Sequence, residues 1–265
     1  MIIPLFNEEK SVEGVLRAIR QATTAHVLAV DDGSTDSTSE VLRRWEGPFR
    51  GLSVIRHPEN RGYGQSLIDG LDFAARNGYK SALTIDGDEQ HEPQLIPVLL
   101  DKLREGWDIV SGSRYKAPLP GQGKVPPDRL RINRRITALI NRMTGYDLTD
   151  AFCGFKAYRV EALESLFLTE PGYGLPLQLW IQASKHGLSV TEVAVPRVYK
   201  PNFERRFGGG LDNAASRLSY YLAVIRKEVG APSRLRAAGR TAARPVVPKK
   251  ALPGDARCAC HRCTP

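Results

Sequence analysis

Short apolar segments alternate along the first half of the chain with longer segments in which apolar residues recur at helical spacing. The short segments are rich in β-branched residues, as expected of strands, and the longer ones should cross over between them. This alternation is typical of a mainly parallel sheet flanked by helices, and it predicts an α/β fold. The strands of the first half are predicted at residues 2–4, 26–30, 52–56, 81–85 and 108–112.

The helices are predicted from stripes of apolar residues. The first helix should lie on the sheet through one stripe, formed by Val12, Val15, Leu16 and Ile19. Ser34 and Thr35 offer N-caps for a second helix that extends to Trp45. Further helices are predicted at residues 65–76, 132–143, 175–185 and 212–227, with one more strand at 189–195.

Two loops stand out between these elements. Residues 60–64, NRGYG, resemble a phosphate-binding loop but lack its third glycine, so a tight turn with close helix packing is the simpler interpretation. Residues 116–128 contain too much proline and glycine for regular structure. Because a long loop in a compact enzyme is often a lid, we expect a mobile loop here.

The C-terminal segment differs in composition from the rest of the chain. From residue 231 proline, alanine and arginine dominate and periodicity disappears, which predicts a disordered tail at 231–265 after one domain at 1–230. The formal net charge is +9, but the tail alone has eight Lys or Arg residues and a single acidic residue. The body is therefore almost neutral, and no basic groove for nucleic acid is expected on its surface.

Cysteine content and hydropathy indicate the compartment. Cys153 is alone in the body, which favours a reducing environment. The first residues do not resemble a secretion signal, and no apolar run approaches the roughly 18 residues of a membrane span. We therefore expect a cytoplasmic protein that, if it meets a membrane, lies peripherally on the cytoplasmic face. The basic tail could adsorb to anionic lipid or serve only for solubility.

Polar residues directly follow three of the predicted strands. In an open parallel sheet this edge is where ligands bind, so these residues should meet in one cleft. Any one pair alone could be turn chemistry, since Asp and Asn favour turns and DDGSTD also suits a turn and a helix cap. Three pairs at one edge favour the cleft. They are Asn7 and Glu8, Asp31 and Asp32, and Asp86 and Asp88.

The segment TIDGDEQHEP, at residues 84–93, has the composition of a metal site. Asp86, Asp88 and Gln90 supply hard oxygen ligands of the kind that Mg²⁺ and Mn²⁺ prefer. These ions commonly keep water and share their coordination with substrate phosphates, so the segment is predicted to hold a diphosphate through a divalent ion. His91 is either a further ligand or a local hydrogen-bonding residue.

Six motifs follow one another along residues 1–200, namely PLFNEE, VDDGSTD, NRGYG, DGDEQHEP, GSRY and TDAFCGFKAYR. In this order and approximate spacing they resemble the motifs of family 2 inverting glycosyltransferases with the GT-A fold. The likeness is strongest to the dolichyl-phosphate and polyprenyl-phosphate sugar synthases. It implies a GT-A architecture, in which the mainly parallel sheet binds a nucleotide.

The resemblance implies roles for residues at the edge of the sheet. Asp86, Asp88 and Gln90 match the metal-binding positions, with Mg²⁺ or Mn²⁺ bridging the donor diphosphate. Catalytic roles fall to Asp88, Arg114 and Asp150. The nucleotide sugar, linked to GDP or UDP, would be bound by Pro4, Phe6, Asn7, Glu8, Val30, Asp31, Asp32, Asp86 and Gly87.

On the same resemblance, an anionic lipid phosphate at a membrane surface would meet mainly basic residues. These are Ser113, Arg114, Arg129, Arg131 and Arg205. The arginines between 129 and 135 could equally form the solvated face of a helix. The chain departs from the family where Phe6 replaces a tyrosine and Gly87 replaces an alanine, the latter a small change. Residues 203–210 match the family's basic closing segment only loosely.

The implied activity is metal-dependent, inverting transfer of a sugar from a nucleotide-diphosphate sugar to a polyprenyl phosphate. An alternative keeps this donor and replaces the acceptor with a soluble or polymeric hydroxyl, as in cell-envelope or natural-product glycosylation. A hydroxyl needs a base, and Asp150 is the candidate unless it caps a helix. A third hypothesis is a non-catalytic protein whose tail binds nucleic acid or zinc, although CACHRC lacks the paired spacing of a structural zinc site. The sequence leaves the oligomeric state open.

Overall fold

A seven-stranded sheet organises the part of the chain that the computed structural model describes, which is residues 1–46, 51–119, 123, 125–198 and 210–231. Its strands are β1 (Ile2–Leu5), β2 (Val27–Asp31), β3 (Leu52–Arg56), β4 (Ser81–Thr84), β5 (Ile109–Ser113), β6 (Lys156–Arg159) and β7 (Val190–Ala194). They lie in the order β3-β2-β1-β4-β6-β5-β7. All strand pairs are parallel except those of β6, which runs antiparallel to β4 and β5. The predicted mainly parallel α/β sheet is confirmed.

Helices cover both faces of this sheet. A short 3-10 helix, Pro93–Leu95, directly precedes α4. Within the described residues the α-helices are α1 (Val12–Ala22), α2 (Thr38–Glu46), α3 (Tyr63–Arg76), α4 (Ile96–Arg104), α5 (Pro127–Thr144), α6 (Val160–Leu163), α7 (Leu175–Lys185) and α8 (Ala214–Gly230).

The sheet separates two hydrophobic cores. Successive side chains of a strand point to opposite faces, so Ile2 belongs to the core beneath α3, α5, α7 and α8, whereas Ile3 belongs to the core beneath α1 and α4. All four residues of the predicted α1 stripe are buried in the second core. Burial on both faces explains why β1 is apolar throughout.

The start of α2 differs from the prediction. This helix begins at Thr38, so the expected caps at Ser34 and Thr35 are wrong. The Ser34 N–H instead donates to Asp31 Oδ1 at 3.0 Å. At the actual start of the helix, Asp36 Oδ1 accepts a hydrogen bond from the Thr38 N–H at 2.9 Å. The DDGSTD segment is therefore a turn followed by a helix cap. The capping side chain is Asp36, later in the chain than the expected Ser34 or Thr35.

α5 also begins earlier than predicted, because the irregular loop expected at residues 116–128 ends before Pro127. The helix begins at Pro127, where a missing N–H costs nothing in the first turn. It ends at Thr144, and the following Gly145 has a φ of 73°, the left-handed conformation common after a helix. Residues 120–122 and 124 lie outside the described residues, and the mobility of the loop stays a prediction.

The sequence pattern does not predict β6 or α4. β6 is short, begins with Lys156 and ends with Arg159, and it lacks β-branched residues. Its central position between β4 and β5 is set by tertiary pairing, which local propensity does not encode. It matters for function because it follows the segment that carries Asp150 and Gly154 to the sheet edge.

Several predictions fall outside the described residues. They include Arg205 and, apart from Ala231, the predicted tail, so the domain boundary stays a prediction. In the described chain, no helix is both long and apolar enough to cross a bilayer.

Candidate active site

The carboxyl ends of β1 and β2 lie side by side with the segment that follows β4. Leu5 and Asp31 are partners in the register of β1 and β2, and the Asp32 N–H donates to the Leu5 carbonyl at 2.8 Å. A Cβ added to Gly87 would lie 2.3 Å from Leu5 Cδ2. The three polar segments found in the sequence therefore meet at one edge of the sheet.

The polar residues after β1 hold the loop that follows β2. Asn7 has a φ of 56°, and its Oδ1 accepts a hydrogen bond from the Thr35 N–H at 2.8 Å. The Glu8 N–H donates to Thr38 Oγ1 at 2.8 Å, while the Glu8 carboxylate accepts a hydrogen bond from the Ser11 hydroxyl. These polar groups are engaged in fixing two loops against each other.

Both carboxylates at the end of β2 are turned into the protein. Asp31 is fully buried and accepts from the Ser34 N–H, as described above. Asp32 is also buried, and its two oxygens accept from the N–H groups of Arg61 and Gly62, each at 2.8 Å. A role in stabilising turns therefore fits Asp31 and Asp32 better than a role in an open ligand site.

The other residues expected to bind the nucleotide differ in exposure. Pro4 and Val30 are partners within the buried sheet, whereas the Phe6 ring is 44% exposed at the edge. The replacement of alanine by Gly87 is not a small change in this chain. Because Leu5 is buried, the Cβ of an alanine could be accommodated only if the Leu5 side chain moved.

Asp86 lines a pocket and is held from three directions. The Tyr63 hydroxyl donates to Asp86 Oδ1 at 2.7 Å, and His91 Nε2 lies 3.1 Å from Oδ2. The backbone of Gly154 packs so closely that a Cβ there would lie 2.6 Å from either carboxylate oxygen. His91 thus contacts Asp86 as a hydrogen-bonding neighbour.

The NRGYG segment connects Asp32 to Asp86. Gly62 binds Asp32 through its N–H, and Tyr63, the next residue, binds Asp86 through its hydroxyl. Gly62 has a φ of 103°, and a Cβ at this position would lie 2.4 Å from the Pro171 carbonyl oxygen. The interpretation as a tight turn with close packing is confirmed, although α3 begins at Tyr63, earlier than predicted.

The turn after β4 offers a donor set that suits a hard divalent ion. Asp88 is buried, and its Oδ1 accepts from the Gln90 N–H at 3.1 Å, while Gln90 lines the same pocket as Asp86. Mg²⁺ and Mn²⁺ are commonly held by one or two carboxylates, with water and substrate phosphate completing the shell. The described residues contain no cluster of three or more His, Cys, Asp or Glu residues suited to a metal.

A pocket lies between this edge of the sheet and helices α5 and α8. Carboxylate and amide groups occur together with guanidinium groups on its wall, and aromatic rings form most of the rest. The polar residues are Asp86, Gln90, Arg114, Arg129, Asn133 and Arg217. The aromatic residues are Tyr63, Tyr115, Phe152, Tyr173 and Tyr221. Such a wall can bind an anion at one end and an apolar group beside it.

A buried ion pair fixes Arg114 to the wall of this pocket. Its Nε lies 2.6 Å from Asp150 Oδ2, and its Nη2 lies 3.0 Å from Asp150 Oδ1. Asn133 Nδ2 also donates to Asp150 Oδ1, at 2.9 Å. Burial by itself would raise the pKa of Asp150, but the charge and hydrogen bonds of Arg114 outweigh it and hold that pKa below its ordinary value. A carboxylate stabilised in this way is a poor proton acceptor.

The alternative reading of Asp150 as a helix cap is wrong. No helix begins at this residue in the described chain, since α5 ends at Thr144 and α6 begins at Val160. Asp150 Oδ1 instead accepts from the Phe152 N–H at 3.1 Å, which closes a turn.

The other predicted acceptor residues lie in different places. Arg129 lines the same pocket as Arg114. Ser113 is fully buried, and its hydroxyl hydrogen-bonds Thr149. Arg131 is exposed on α5 and is absent from the pocket lining, as expected of a solvated helix face.

Two residues that line the pocket were not identified from the sequence, although each is a polar residue on a buried face of a helix. Asn133 interrupts the apolar face of α5, and Arg217 is buried in α8 although it is charged. Arg217 Nη2 lies 2.5 Å from Asp128 Oδ2, and its Nη1 donates to the Leu211 carbonyl at 2.7 Å. A polar residue within an apolar stripe is a reason to look for a buried partner.

Lys156 and Cys153 are buried behind the site. The Lys156 ammonium donates to the Cys153 carbonyl and lies 5.4 Å from the centre of the Trp180 ring. Burial lowers the pKa of Lys156, and it raises the pKa of the Cys153 thiol to about 11. Cys153 is therefore protonated and unreactive near neutral pH.

Comparison with known proteins identifies the family of the chain. The family model described as Glycosyl transferase family 2 matches residues 1–167. The polyprenol monophosphomannose synthase of Mycolicibacterium smegmatis is 31% identical over 204 residues, covering 74% of this chain and 75% of that protein. The undecaprenyl-phosphate mannosyltransferase of Micrococcus luteus is 30% identical over 216 residues, covering 79% and 87%.

A solved structure shows the same fold. Glucosyl-3-phosphoglycerate synthase of M. tuberculosis superposes with a TM-score of 0.65 at 24% identity, covering 87% of this chain and 80% of that chain. The expected GT-A type of α/β fold is confirmed by this likeness, which at such identity extends to the fold alone.

Proposed function

The chain belongs to glycosyl transferase family 2, and from this membership we propose that it transfers a sugar from a nucleotide-diphosphate donor to a polyprenyl phosphate. The names of the two mannosyl-transferring relatives support a lipid phosphate as acceptor. The observation that carries the proposal is one pocket in which Asp86 and Gln90 occur together with Arg114 and Arg129. It offers neighbouring places for a diphosphate and for a second anion.

The donor, linked to GDP or UDP, would lie at the sheet edge. Asp86, Asp88 and Gln90 would hold Mg²⁺ or Mn²⁺ against its diphosphate. When bound, such an ion stabilises the negative charge that develops on the departing nucleoside diphosphate. The exposed ring of Phe6 would stack on the base, and Asp32 would shape this region through the NRGYG turn.

The acceptor would enter from the side of α5 and α8. Guanidinium groups bind phosphate through paired hydrogen bonds, so Arg129 and Arg114 would orient the acceptor phosphate. The rings of Phe152 and Tyr221, with centroids 4.8 Å apart, would contact the first apolar carbons of the lipid. Attack by the phosphate oxygen from the side opposite the leaving group would invert the anomeric carbon.

A phosphate acceptor agrees with the state of Asp150. A lipid phosphate is already an anionic nucleophile, whereas a hydroxyl must lose a proton to a base. The lowered pKa and the saturated hydrogen bonds of Asp150 suit a residue that positions Arg114 rather than one that accepts a proton. We assign it that positioning role.

A transfer assay tests the acceptor. Purified protein would be incubated with GDP-mannose, UDP-glucose or UDP-N-acetylglucosamine, a short polyprenyl phosphate and Mn²⁺ or Mg²⁺. We expect transfer of one of these sugars to the lipid and its loss after EDTA treatment. Donor turnover only in the presence of a soluble or polymeric hydroxyl would instead favour the alternative acceptor and contradict the proposal.

Two arginines on α5 provide a matched pair for the same assay. Arg129→Ala removes a guanidinium from the pocket, and a lost hydrogen bond to a charged group costs about 1.5–3 kcal/mol. We therefore expect the KM for polyprenyl phosphate to rise roughly 10- to 100-fold. Arg131→Ala, which removes an exposed arginine of the same helix, should change it by less than about twofold. Equal effects of the two substitutions would contradict the placement of the acceptor.

A further inference from the structure

We propose that Tyr63 is a positioning residue, which fixes the carboxylate of Asp86 for the divalent ion and ties it to the wall of the acceptor pocket. The inference rests on the proposed function in assigning Asp86 to the ion. Tyr63 itself belongs to a segment for which the sequence suggests only a tight turn.

The first step is the contact between Tyr63 and Asp86. The hydroxyl donates to Oδ1 at 2.7 Å, while His91 lies against Oδ2 and the Gly154 backbone lies against the whole carboxylate. Rotation of the Asp86 side chain would break the tyrosine hydrogen bond. Each carboxylate oxygen has two lone pairs, so both oxygens keep the capacity to bind a cation while they accept these contacts.

The second step is that Tyr63 is itself fixed in place. It is the first residue of α3, and the N–H of Gly62 before it donates to Asp32 Oδ2 at 2.8 Å. Its ring stacks on Tyr173, with centroids 5.3 Å apart and planes 17° apart. Backbone and ring are therefore held by different partners, and the hydroxyl has one direction in which to point.

The third step is that the segment carrying Tyr173 is braced by α8. The Gln65 N–H donates to the Pro171 carbonyl at 3.0 Å, which joins α3 to this segment. Tyr220 on α8 donates its hydroxyl to Glu170 Oε1 and accepts from the Gly174 N–H at 3.0 Å. A continuous chain of contacts thus runs from α8, at the pocket wall, to Asp86.

This arrangement prepares Asp86 for the ion before the ion binds. Residues that orient a metal ligand from the outer shell typically contribute 10- to 100-fold to metal affinity. Because the tyrosine hydroxyl contributes one of several contacts, we expect its loss to weaken Mn²⁺ binding by about tenfold. At saturating Mn²⁺ the turnover should approach that of the wild type, because the reacting groups are unchanged.

The test uses Tyr63→Phe, which keeps the stacked ring and removes only the hydroxyl. Free Mn²⁺ would be measured by electron paramagnetic resonance during titration of the full chain with UDP present and, separately, with GDP present. We expect the Kd for Mn²⁺ to rise about tenfold with the accepted nucleotide. Tyr79→Phe is the matched control, because Tyr79 packs on His26 and Phe73 away from the pocket, and it should change the Kd by less than about twofold.

The outcomes separate this inference from the proposed function. If Tyr63→Phe binds Mn²⁺ as the wild type does, or more tightly, Tyr63 does not position Asp86 and the inference is overturned. If the wild type binds Mn²⁺ and nucleotide but does not glycosylate polyprenyl phosphate, the proposed acceptor fails and the binding result for Tyr63 still stands. If the wild type binds Mn²⁺ with neither nucleotide, the donor assignment and this inference fail together.

Discussion

The carboxylates near this edge of the sheet have different tasks, which depend on the donors around them. Asp31 and Asp32 accept hydrogen bonds from backbone N–H groups of the loops beside them and stabilise turns. Asp150 is paired with a guanidinium inside the protein, whereas Asp86 lines the pocket. The sequence pattern predicts Asp31, Asp32 and Asp86 at the sheet edge, but the partners that distinguish these carboxylates come from other segments.

The Asp150 carboxylate should determine part of the acid stability of the fold. Its folded pKa is lowered, so its stabilising effect is fully present above the ordinary aspartate value of about 3.9 and is lost as pH falls through the lower folded value. Asp150→Asn leaves Arg114 without its counter-charge, and breaking such a buried pair costs about 3 kcal/mol. Urea unfolding from pH 3 to pH 7 should show this deficit at neutral pH and its decrease below about pH 4.

Asp72→Asn is the control for that experiment. Its side chain is 31% exposed and lies 3.9 Å from Arg76, an arrangement worth less than about 1 kcal/mol. A deficit for Asp150→Asn that stays constant down to pH 3 would show that Asp150 is not the stabilised carboxylate described above.

Among the individual residues of the site, the sequence predicts some and not others. The predicted site residues Asp86, Gln90, Arg114 and Arg129 do line one pocket. Tyr63 could not be recognised, because a tyrosine within a glycine-rich turn looks the same whether its hydroxyl faces solvent or a carboxylate. The inward orientation of Asp32 was equally hidden, since its partners follow almost thirty residues later.

The elements that carry the site are held together by polar contacts between helices. Arg217, on α8, is buried and reaches Asp128 in the first turn of α5, next to Arg129. It also binds the carbonyl of Leu211 before its own helix. This one side chain therefore fixes how the two helices form the wall of the pocket.

Loss of this contact should affect both stability and acceptor binding. Arg217→Met keeps much of the apolar stem but removes charge-assisted hydrogen bonds, for which we expect a destabilisation of about 1–3 kcal/mol in urea unfolding. The KM for polyprenyl phosphate should rise in the same variant. Arg226→Met, an exposed change on the same helix, should stay within about 0.5 kcal/mol of the wild type. Similar values for the two variants would contradict the role of Arg217.

The helix α1 and the strand β6 show which elements the local sequence pattern predicts and which it does not. The stripe of α1 is apolar at helical spacing, and all of its residues are buried. β6 has no such pattern, because a short strand inserted between two others obtains its stability from their hydrogen bonds. It is this antiparallel strand that interrupts the otherwise parallel sheet.

For the whole molecule, the unequal distribution of charge suggests how the protein would reach the lipid acceptor proposed above. Residues 231–265 contain eight of the Lys and Arg residues, and each basic residue near an anionic membrane contributes about 1 kcal/mol. We propose peripheral association with the cytoplasmic face of a membrane, assisted by this tail.

Truncation after residue 230 tests this role of the tail. Co-sedimentation with vesicles that contain anionic lipid should decrease markedly at low salt, while transfer to a detergent-solubilised short polyprenyl phosphate should stay unchanged. Vesicles of neutral lipid are the control, and neither form should bind them. Equal binding of the full chain and the truncated chain to anionic vesicles would leave the tail with a solubilising role only.

We propose that the turn after β4 forms one donor and acceptor site together with Arg114, which follows β5, and Arg129 on α5. A crystal structure of the full chain with Mn²⁺ and the nucleoside diphosphate of its donor tests it most directly. We predict that the ion and the diphosphate lie at Asp86, Asp88 and Gln90, with the terminal phosphate towards Arg114. A nucleotide and an ion bound elsewhere, with Asp86 in contact with neither, would contradict this placement.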